Sequence, residues 1–435
     1  MSASMDAAPD PWGPEAAFGR TRRLLHRGIE SIAAVLLLTS VVAVTSGVTF
    51  VQRADANLRR VSVSSLVAPT SDARTFLVVG SDDRSGLTDE ERQRYRLGTF
   101  TGRRSDVIIY AAISEDRRNV TLVSLPRDLL VVDDEGRLSK LADNFAGGPE
   151  SLVEAVERST GLTTNHFIEV SLDGFIEIVR TLGTVRLCFQ QALVDPKSGA
   201  DFAEGCQDLG PAEALAFVRS RQGARGDFER IERQQRFLRA VLSEATSART
   251  LSDPRRVAQL VEDGSRNVTT DDGLTLEQMR AVALELVGVV RDGVPMVTLP
   301  SYPQRYEGVW YVVPYGPGAR ALVRDLRAGV SPLDRGTAEE RRTLGVQVLS
   351  GGRGIESQIV LSTLRFAGFR VEPGGTGPAS LDAGATTTVH HAPGAEVAAG
   401  YVAATLGADV LPLPANVVLP EGIQVAVAVG DDAAR

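Results

Sequence analysis

The chain has 435 residues, 43% of them apolar and 23% charged, with a formal net charge of -8. That length allows two or three domains, the composition excludes wholesale disorder and a polytopic membrane protein, and the negative total argues against a general nucleic-acid binder. Lys140 and Lys197 are the only lysines, an arginine bias that a GC-rich genome explains without any ligand, so position has to carry the argument.

Residues 1–28, with prolines at Pro9, Pro11 and Pro14, read as a disordered cytoplasmic tail. Residues 29–51 are expected to form a transmembrane helix, because 32–51 carry no charge and span roughly 30 Å as a helix. Arg20, Arg22, Arg23 and Arg27 precede the run and Arg53, Arg59 and Arg60 follow it, a slight bias towards an inside N-terminus. A cleaved signal peptide would have a shorter apolar core and a small-residue cleavage site, and neither is evident. The expectation is a single-pass protein of the cytoplasmic membrane with its domains outside.

After a polar stalk, 52–74, a domain over 75–330 is predicted. Short β-branched strands fall at 76–79, 107–113 and 120–125, the last two joined by a hairpin-like link. Between them, 81–104 is charged and without apolar rhythm, so a loop or short exposed helix is expected. Helical spacing marks 149–159 and 171–182, each ending before a glycine, and 227–246 most clearly. Further mixed segments are read at 276–291, 297–299, 308–313 and 319–328. A polar linker, 331–343, leads to a small second α/β domain at 344–430. The fold class is α/β with a mixed sheet, since hairpin links are incompatible with a purely parallel one. The turn from Ser350 to Gly354 lacks the lysine and hydroxyl of a phosphate loop, so it is read as tight strand-to-helix turning.

Four clusters stand at element ends: Gly80–Ser81–Asp82–Asp83–Arg84 after a strand, Arg104–Ser105–Asp106 before one, Pro126–Arg127–Asp128 after another, and Arg219–Ser220–Arg221 continuing to Asp227, Arg230, Arg233, Gln234 and Gln235. Strand ends converge on one sheet edge, where ligands bind in α/β folds. Carboxylates there supply hard oxygen ligands for magnesium, and guanidiniums supply paired donors for phosphate. Surface ion pairs account for any one cluster; the four together are harder to dismiss. Cys188 and Cys206 close a loop that a disulfide would stabilise by about 3 kcal/mol, or they are two buried thiols. Their spacing, with four scattered histidines, fits no zinc or haem site.

The blocks FLVVGSDDR, RSDVIIYAAIS, VSLPRD, LADNFAGGP, FIEVSLDGFIEIVRTLG, FVRSR and GDFERIERQQ, in this order over about residues 75–247, closely resemble the LytR-CpsA-Psr family. Its members are membrane-anchored enzymes that move glycopolymers from a polyprenyl-diphosphate carrier to peptidoglycan. The second domain looks like the LytR C-terminal domain of actinobacterial members, which implies a wall-polymer or protein partner. The resemblance implies that Asp82 and Asp106 hold Mg2+, with Mn2+ as a substitute. It implies that Arg127, Arg219, Arg221, Arg230 and Gln234 grip the diphosphate, that Arg84 and Arg104 assist, and that Asp227 orients the arginines. Val123, Phe175, Ile178 and Leu238 would line the prenyl pocket, although core packing explains them equally. The cysteine pair agrees with actinobacterial members. The long insertion before Arg104 departs from the shorter family pattern and leaves the spacing of the two aspartates open. A hydrolase of the same lipid and a non-enzymatic lipid-binding or regulatory module are the rival readings; intact Asp82, Asp106 and Arg127 speak against the second.

Overall fold

The computed structural model describes residues 53–84, 86–97, 104–223, 227–282, 294–330, 336–378, 381 and 384–434. The chain divides into two compact units, Met1–Ala56 and Asn57–Arg435. Of the first, only 53–56 are described, and they are helical. The expected membrane span lies outside the described residues, and no described helix is long and apolar enough to cross a membrane.

The second unit is built on a seven-stranded mixed sheet: β1 (Arg59–Val61), β2 (Arg74–Ser81), β3 (Ser105–Ile113), β4 (Val120–Leu125), β5 (His166–Val170), β6 (Val268–Asp271) and β7 (Met296–Thr298), in the spatial order β1-β6-β5-β2-β3-β4-β7. β2 runs antiparallel to β3 and parallel to β5, and β3 runs antiparallel to β4. The carboxyl ends of β2, β4 and β5 and the start of β3 therefore share one edge.

Alternation sorts the side chains of each strand onto two faces. Leu77, Val79, Ile108, Tyr110, Val123 and Leu125 face one way, into a core with Leu152, Val153 and Val156. Each such fully buried apolar side chain contributes about 1.5–3 kcal/mol. The other face, with Val78 and Ile109, looks towards a second set of helices. The helices include α1 (Asp89–Arg94), α2 (Pro149–Thr160), α3 (Leu172–Leu182), α4 (Pro211–Arg219), α5 (Asp227–Ala245), α6 (Pro254–Asn267) and α7 (Gly316–Arg327). Sequence signals set their ends: Pro149 opens α2 and left-handed Gly161 closes it, while the Ser171 hydroxyl caps the amide of Gly174 in α3. The charged insertion holds α1, a short helix with no buried residue and a Thr88–Glu91 capping box. Helix is described at 276–282; the remainder of the segment expected as helical to 291 lies outside the described residues.

A hairpin, β8 (Ser301–Tyr306) and β9 (Val309–Pro314), follows β7. Its first strand is illegible in sequence because Pro303 interrupts the pattern. Part of the expected linker is instead the helix α8 (Ala338–Thr343), opened by a Thr337–Glu340 capping box. Beyond it lies a five-stranded sheet, β10 (Gly345–Leu349), β11 (Arg370–Pro373), β12 (Thr388–His391), β13 (Asp409–Pro412) and β14 (Val425–Ala428), in the order β11-β10-β14-β12-β13, with helices α9 (Gly354–Phe366) and α10 (Glu396–Leu406). This part packs on the first: Phe366 meets Phe228 edge-on at 5.4 Å, and Arg341 pairs with Glu232 at 3.1 Å.

Candidate functional site

A cavity of about 920 Å³ opens at the shared strand edge and runs between the sheet and helices α3, α4 and α5. Its inner wall is apolar, with Val78, Ile109, Phe175, Ile178, Phe237 and Leu238 among the lining residues. Three of the four residues expected in a prenyl pocket are therefore there. Val123 is not: it is fully buried on the opposite face of the sheet, opposite Tyr110 in the ladder, and serves the main core.

The mouth is charged. Asp82, Arg84, Arg104, Asp106, Arg127, Arg219, Arg221, Arg230 and Gln234 all line the cavity. Local structure explains the convergence. Gly80 pairs with Val107 but Ser81 pairs with Ser105, so Asp106 is the extra residue of a β-bulge, a feature that re-aims a side chain. Asp82 lies just past the end of β2, its amide donating to the carbonyl of Arg104 at 2.9 Å. The insertion thus starts and ends at one place, and its length does not separate the aspartates along the edge. Arg127 follows β4. Arg230 and Gln234 are four apart on α5, hence on one helix face. Asp227 begins α5; its side chain lies outside the description.

The charges are partly matched to each other. Arg84 holds both oxygens of Asp82, with Nε to Oδ1 at 2.9 Å and Nη2 to Oδ2 at 2.5 Å. Arg127 donates from Nη1 to Asp106 Oδ1 at 2.8 Å. Arg219 reaches back over the insertion and donates to the carbonyl of Tyr95 at 3.2 Å. Burial pushes its guanidinium below the ordinary value; Asp82 pulls it up, Arg84 pushes it down further and Asp106 pulls it up. Arg230 is almost fully buried.

Asp195 escaped the sequence reading, which named Arg233 and Gln235 only as members of the fourth cluster and not for the contacts they make. Buried Asp195 accepts from the backbone amides of Arg221 and Lys197, both at 3.0 Å, and so ties the loop bearing Arg221 to the cavity rim. Burial alone would raise its pKa, but hydrogen bonds from Ser220, Arg221, Lys197 and Ser198 lower it overall. Lys197 itself lines the cavity. Arg233 donates to the carbonyls of Ser220, at 2.9 Å, and Gln222, fixing the same loop from α5. Gln235 turns away from the cavity and donates to Ser124 and Thr298. The Asp-Pro-Lys-Ser-Gly turn starting at Asp195 was the available signal for the Asp195 contact.

Away from the mouth, Cys188 and Cys206 face each other across antiparallel strands and form a disulfide. Both residues are exposed, which overturns the alternative of two buried thiols. Among the described residues no group of three His, Cys, Asp or Glu side chains could hold a metal ion. Arg353, in the glycine-rich turn of the second domain, pairs with Asp431 at 2.6 Å and plays a structural part.

The model of the LytR_cpsA_psr family matches residues 40–327 of this chain. The probable cell wall biosynthesis protein LcpB of Corynebacterium glutamicum is 34% identical over 278 residues, which are 63% of this chain and 66% of that protein. The chain thus covers slightly under two thirds of that relative. The polyisoprenyl-teichoic acid–peptidoglycan teichoic acid transferase TagU of Oceanobacillus iheyensis is 26% identical over 250 residues, 56% of this chain and 71% of that protein. Among solved structures, protein gbs0355 from Streptococcus agalactiae superposes with a TM-score of 0.50 at 18% identity, over 59% of this chain and 88% of that one, a likeness of fold.

Proposed function

This chain belongs to the LytR_cpsA_psr family, and from that premise we propose that it transfers a glycopolymer from a polyprenyl-diphosphate carrier to a peptidoglycan hydroxyl. The observation that carries this reading is the two-part cavity of about 920 Å³, apolar within and arginine-rich at its mouth. An isoprenoid tail fits the first part, and a diphosphate fits the second. The names of LcpB and TagU point the same way.

In this reaction the hydroxyl oxygen forms a bond to the sugar-linked phosphorus, the anhydride P–O bond breaks, and prenyl phosphate departs with the bonding pair. The hydroxyl proton passes to a carboxylate at the mouth. The anhydride supplies the driving force, so no nucleotide is required. Arg127, Arg219, Arg221 and Arg230, with Gln234, hold the diphosphate oxygens; Arg84 and Arg104 flank them, and Asp227 orients the set. Asp195 and Arg233 keep the Arg221 loop in place for this task. The apolar wall excludes water from the chain side and fixes the carrier's depth.

Asp82 and Asp106 are the residues that would hold Mg2+. Two carboxylates, with no third His, Cys, Asp or Glu grouped with them among the described residues, fit an ion that keeps several waters and takes its other oxygens from substrate phosphate. When bound, such an ion neutralises charge that builds on the leaving phosphate.

Topology belongs to the same proposal: a membrane anchor over 29–51, an inside N-terminus and an outer catalytic part. The disulfide supports an oxidising compartment. The C-terminal domain is proposed to meet a wall polymer or a protein partner. The deciding experiment follows labelled lipid-diphosphate sugar with and without peptidoglycan fragments. Label joined to the fragments supports transfer; equal release of free label in both arms makes the protein a hydrolase, and binding without turnover makes it a lipid-binding module. A periplasmic-type phosphatase fused after Arg435 should be active, and a dark one refutes the topology.

A further inference from the structure

Helix α5 serves several neighbours within two turns. Arg230 and Gln234 line the cavity, Arg233 holds the carbonyls of Ser220 and Gln222, and Gln235 donates to Ser124 and Thr298. The remaining neighbour is the second domain. At about 100° per residue, Glu232 lies about 180° from the midpoint of Arg230 and Gln234, on the side of the helix turned away from the cavity. There its Oε1 accepts from Nη2 of Arg341 at 3.1 Å, and Nη1 of Arg342 stands 3.7 Å from its Oε2.

Exposure separates the two partners: the side chain of Arg341 is 15% exposed and that of Arg342 47%, with Glu232 at 12%. Arg341–Glu232 is the sheltered pair, in which solvent and salt screen the charges little. Arg341 is also held from its own side. Its Nη1 donates to the carbonyl of Gly336 at 2.6 Å, and its neighbour Glu340 accepts from the hydroxyl of Tyr401, on α10, at 3.2 Å. One turn earlier on α5, buried Phe228 meets Phe366 of α9. The second domain thus grips the outer side of the helix whose inner side carries Arg230 and Gln234.

We infer that Glu232, through its pair with Arg341, is a positioning residue for diphosphate recognition: by this contact the second domain sets where α5 presents Arg230 and Gln234. The inference rests on the transfer reading above and gives the second domain a part in it. A guanidinium fork grips phosphate well only when both prongs meet oxygens, and a misplacement of about 1 Å can cost about a hundredfold in rate. A helix shifts as a unit, so movement at Glu232 is passed to Arg230 and Gln234. The carboxylate also offsets a repulsion across the junction, because Arg236 interacts electrostatically with Arg342, and Arg239 with Arg341. A pair that served only to glue two domains together would lower the melting temperature and leave phosphate affinity alone.

The test titrates the full-length protein with farnesyl diphosphate and with farnesol, which probes the apolar interior alone. Charge sign makes Glu232→Gln decisive: removing a negative charge would by Coulomb attraction tighten the binding of an anion, whereas loss of position weakens it. Glu232→Gln should bind farnesyl diphosphate about tenfold more weakly, with farnesol affinity unchanged. Arg341→Gln should share the loss and Arg341→Lys should recover most of it. Arg353→Ala, in the same domain but bound to Asp431, should stay within about twofold of wild type. Unchanged or tighter farnesyl diphosphate binding by Glu232→Gln overturns the inference, as does an equal fall for both probes. Should that variant not fold, equal affinities of Arg341→Gln and Arg341→Lys overturn it instead. A wild-type protein that binds both probes alike removes the diphosphate reading, and this inference with it.

Discussion

Arg127 donates from Nη1 to Oδ1 of Asp106 at 2.8 Å, so the cation proposed to hold phosphate and the carboxylate proposed to hold the metal neutralise each other at the cavity mouth. Arg84 and Asp82 repeat the arrangement. Under the proposed function, ligand entry would exchange partners: the arginine would turn to phosphate and the carboxylate to Mg2+. On this reading Asp82→Ala or Asp106→Ala should abolish transfer with folding largely intact, since both side chains stand at the rim. Carrier binding should survive, because each buried methylene of the tail contributes about 0.8 kcal/mol, whereas the ion acts on charge developing in the transition state. A chelator should copy the mutants, and Mn2+ should restore wild-type activity. Transfer and lipid binding are measured on the same preparations; full transfer by the double mutant, or undiminished transfer in chelator, removes the metal from the mechanism.

Arg221 separates loop geometry from phosphate recognition. Its amide, not its side chain, is the group tied to Asp195, so Arg221→Lys leaves the loop anchored and keeps the charge. What it loses is the planar fork, and transfer should fall by more than about tenfold, equivalent to about 1.4 kcal/mol of transition-state stabilisation. Arg353→Ala is the contrasting change. It breaks the contacts to Asp431 and to the carbonyl of Gly384, so it should lower the melting temperature slightly and leave transfer within about twofold. The reverse ranking in a transfer assay would locate the chemistry in the second domain.

The legible part of this site was what local chain grammar specifies. Aspartates and arginines at apolar strand ends could be assigned to one edge, because alternation and strand direction are local properties. Helical spacing and a following glycine marked α2 and α3. The supports were not legible: Asp195 meets Arg221 across 26 residues, and Arg233 meets the Ser220 carbonyl across 13. Such contacts depend on how a turn and a helix pack, which residue order does not display. Val123 failed for a related reason, since alternation says that Val123 and Leu122 face opposite ways but not which way the cavity lies. Helix α8 carried its capping box in plain view, hidden only by the polarity of its surroundings.

The cysteine pair predicts a stability effect without a large effect on chemistry. Because Cys188 and Cys206 join exposed positions of two antiparallel strands and neither lines the cavity, reductant should reach them in the native state. Non-reducing intact mass should be two hydrogens short of the fully reduced mass. Cys188→Ser with Cys206→Ser should cost about 3 kcal/mol in the chain-entropy account, visible as a lower melting temperature, with KM for the carrier unchanged. Two alkylatable thiols in the native oxidised protein would refute the bridge.

The last prediction concerns acid. Buried Asp271, on β6, accepts the amide of Phe167 at 3.0 Å and that of Gly273 at 2.9 Å, and lies 3.3 Å from the ring of His166. It therefore joins β5, a neighbour of β2, to the outer strands of the sheet. Burial by itself raises its pKa, but the contact with His166 and the two amides outweigh burial, and the folded value lies below the ordinary 3.8. A carboxyl with a depressed folded pKa binds protons more readily when the chain is unfolded. Its contribution is fully present above pH 3.8 and is lost as pH falls through the folded value. In Asp271→Asn one oxygen is replaced by an amide that donates towards groups that also donate, so about 1–3 kcal/mol should be lost near neutral pH. The gap between wild type and mutant should then narrow as pH drops below 3.8, because wild type loses there what the mutant never had. Urea unfolding of both proteins from pH 7 to pH 3 measures this, and a gap that stays constant across that range would mean that the carboxylate's charge contributes nothing to holding the sheet together.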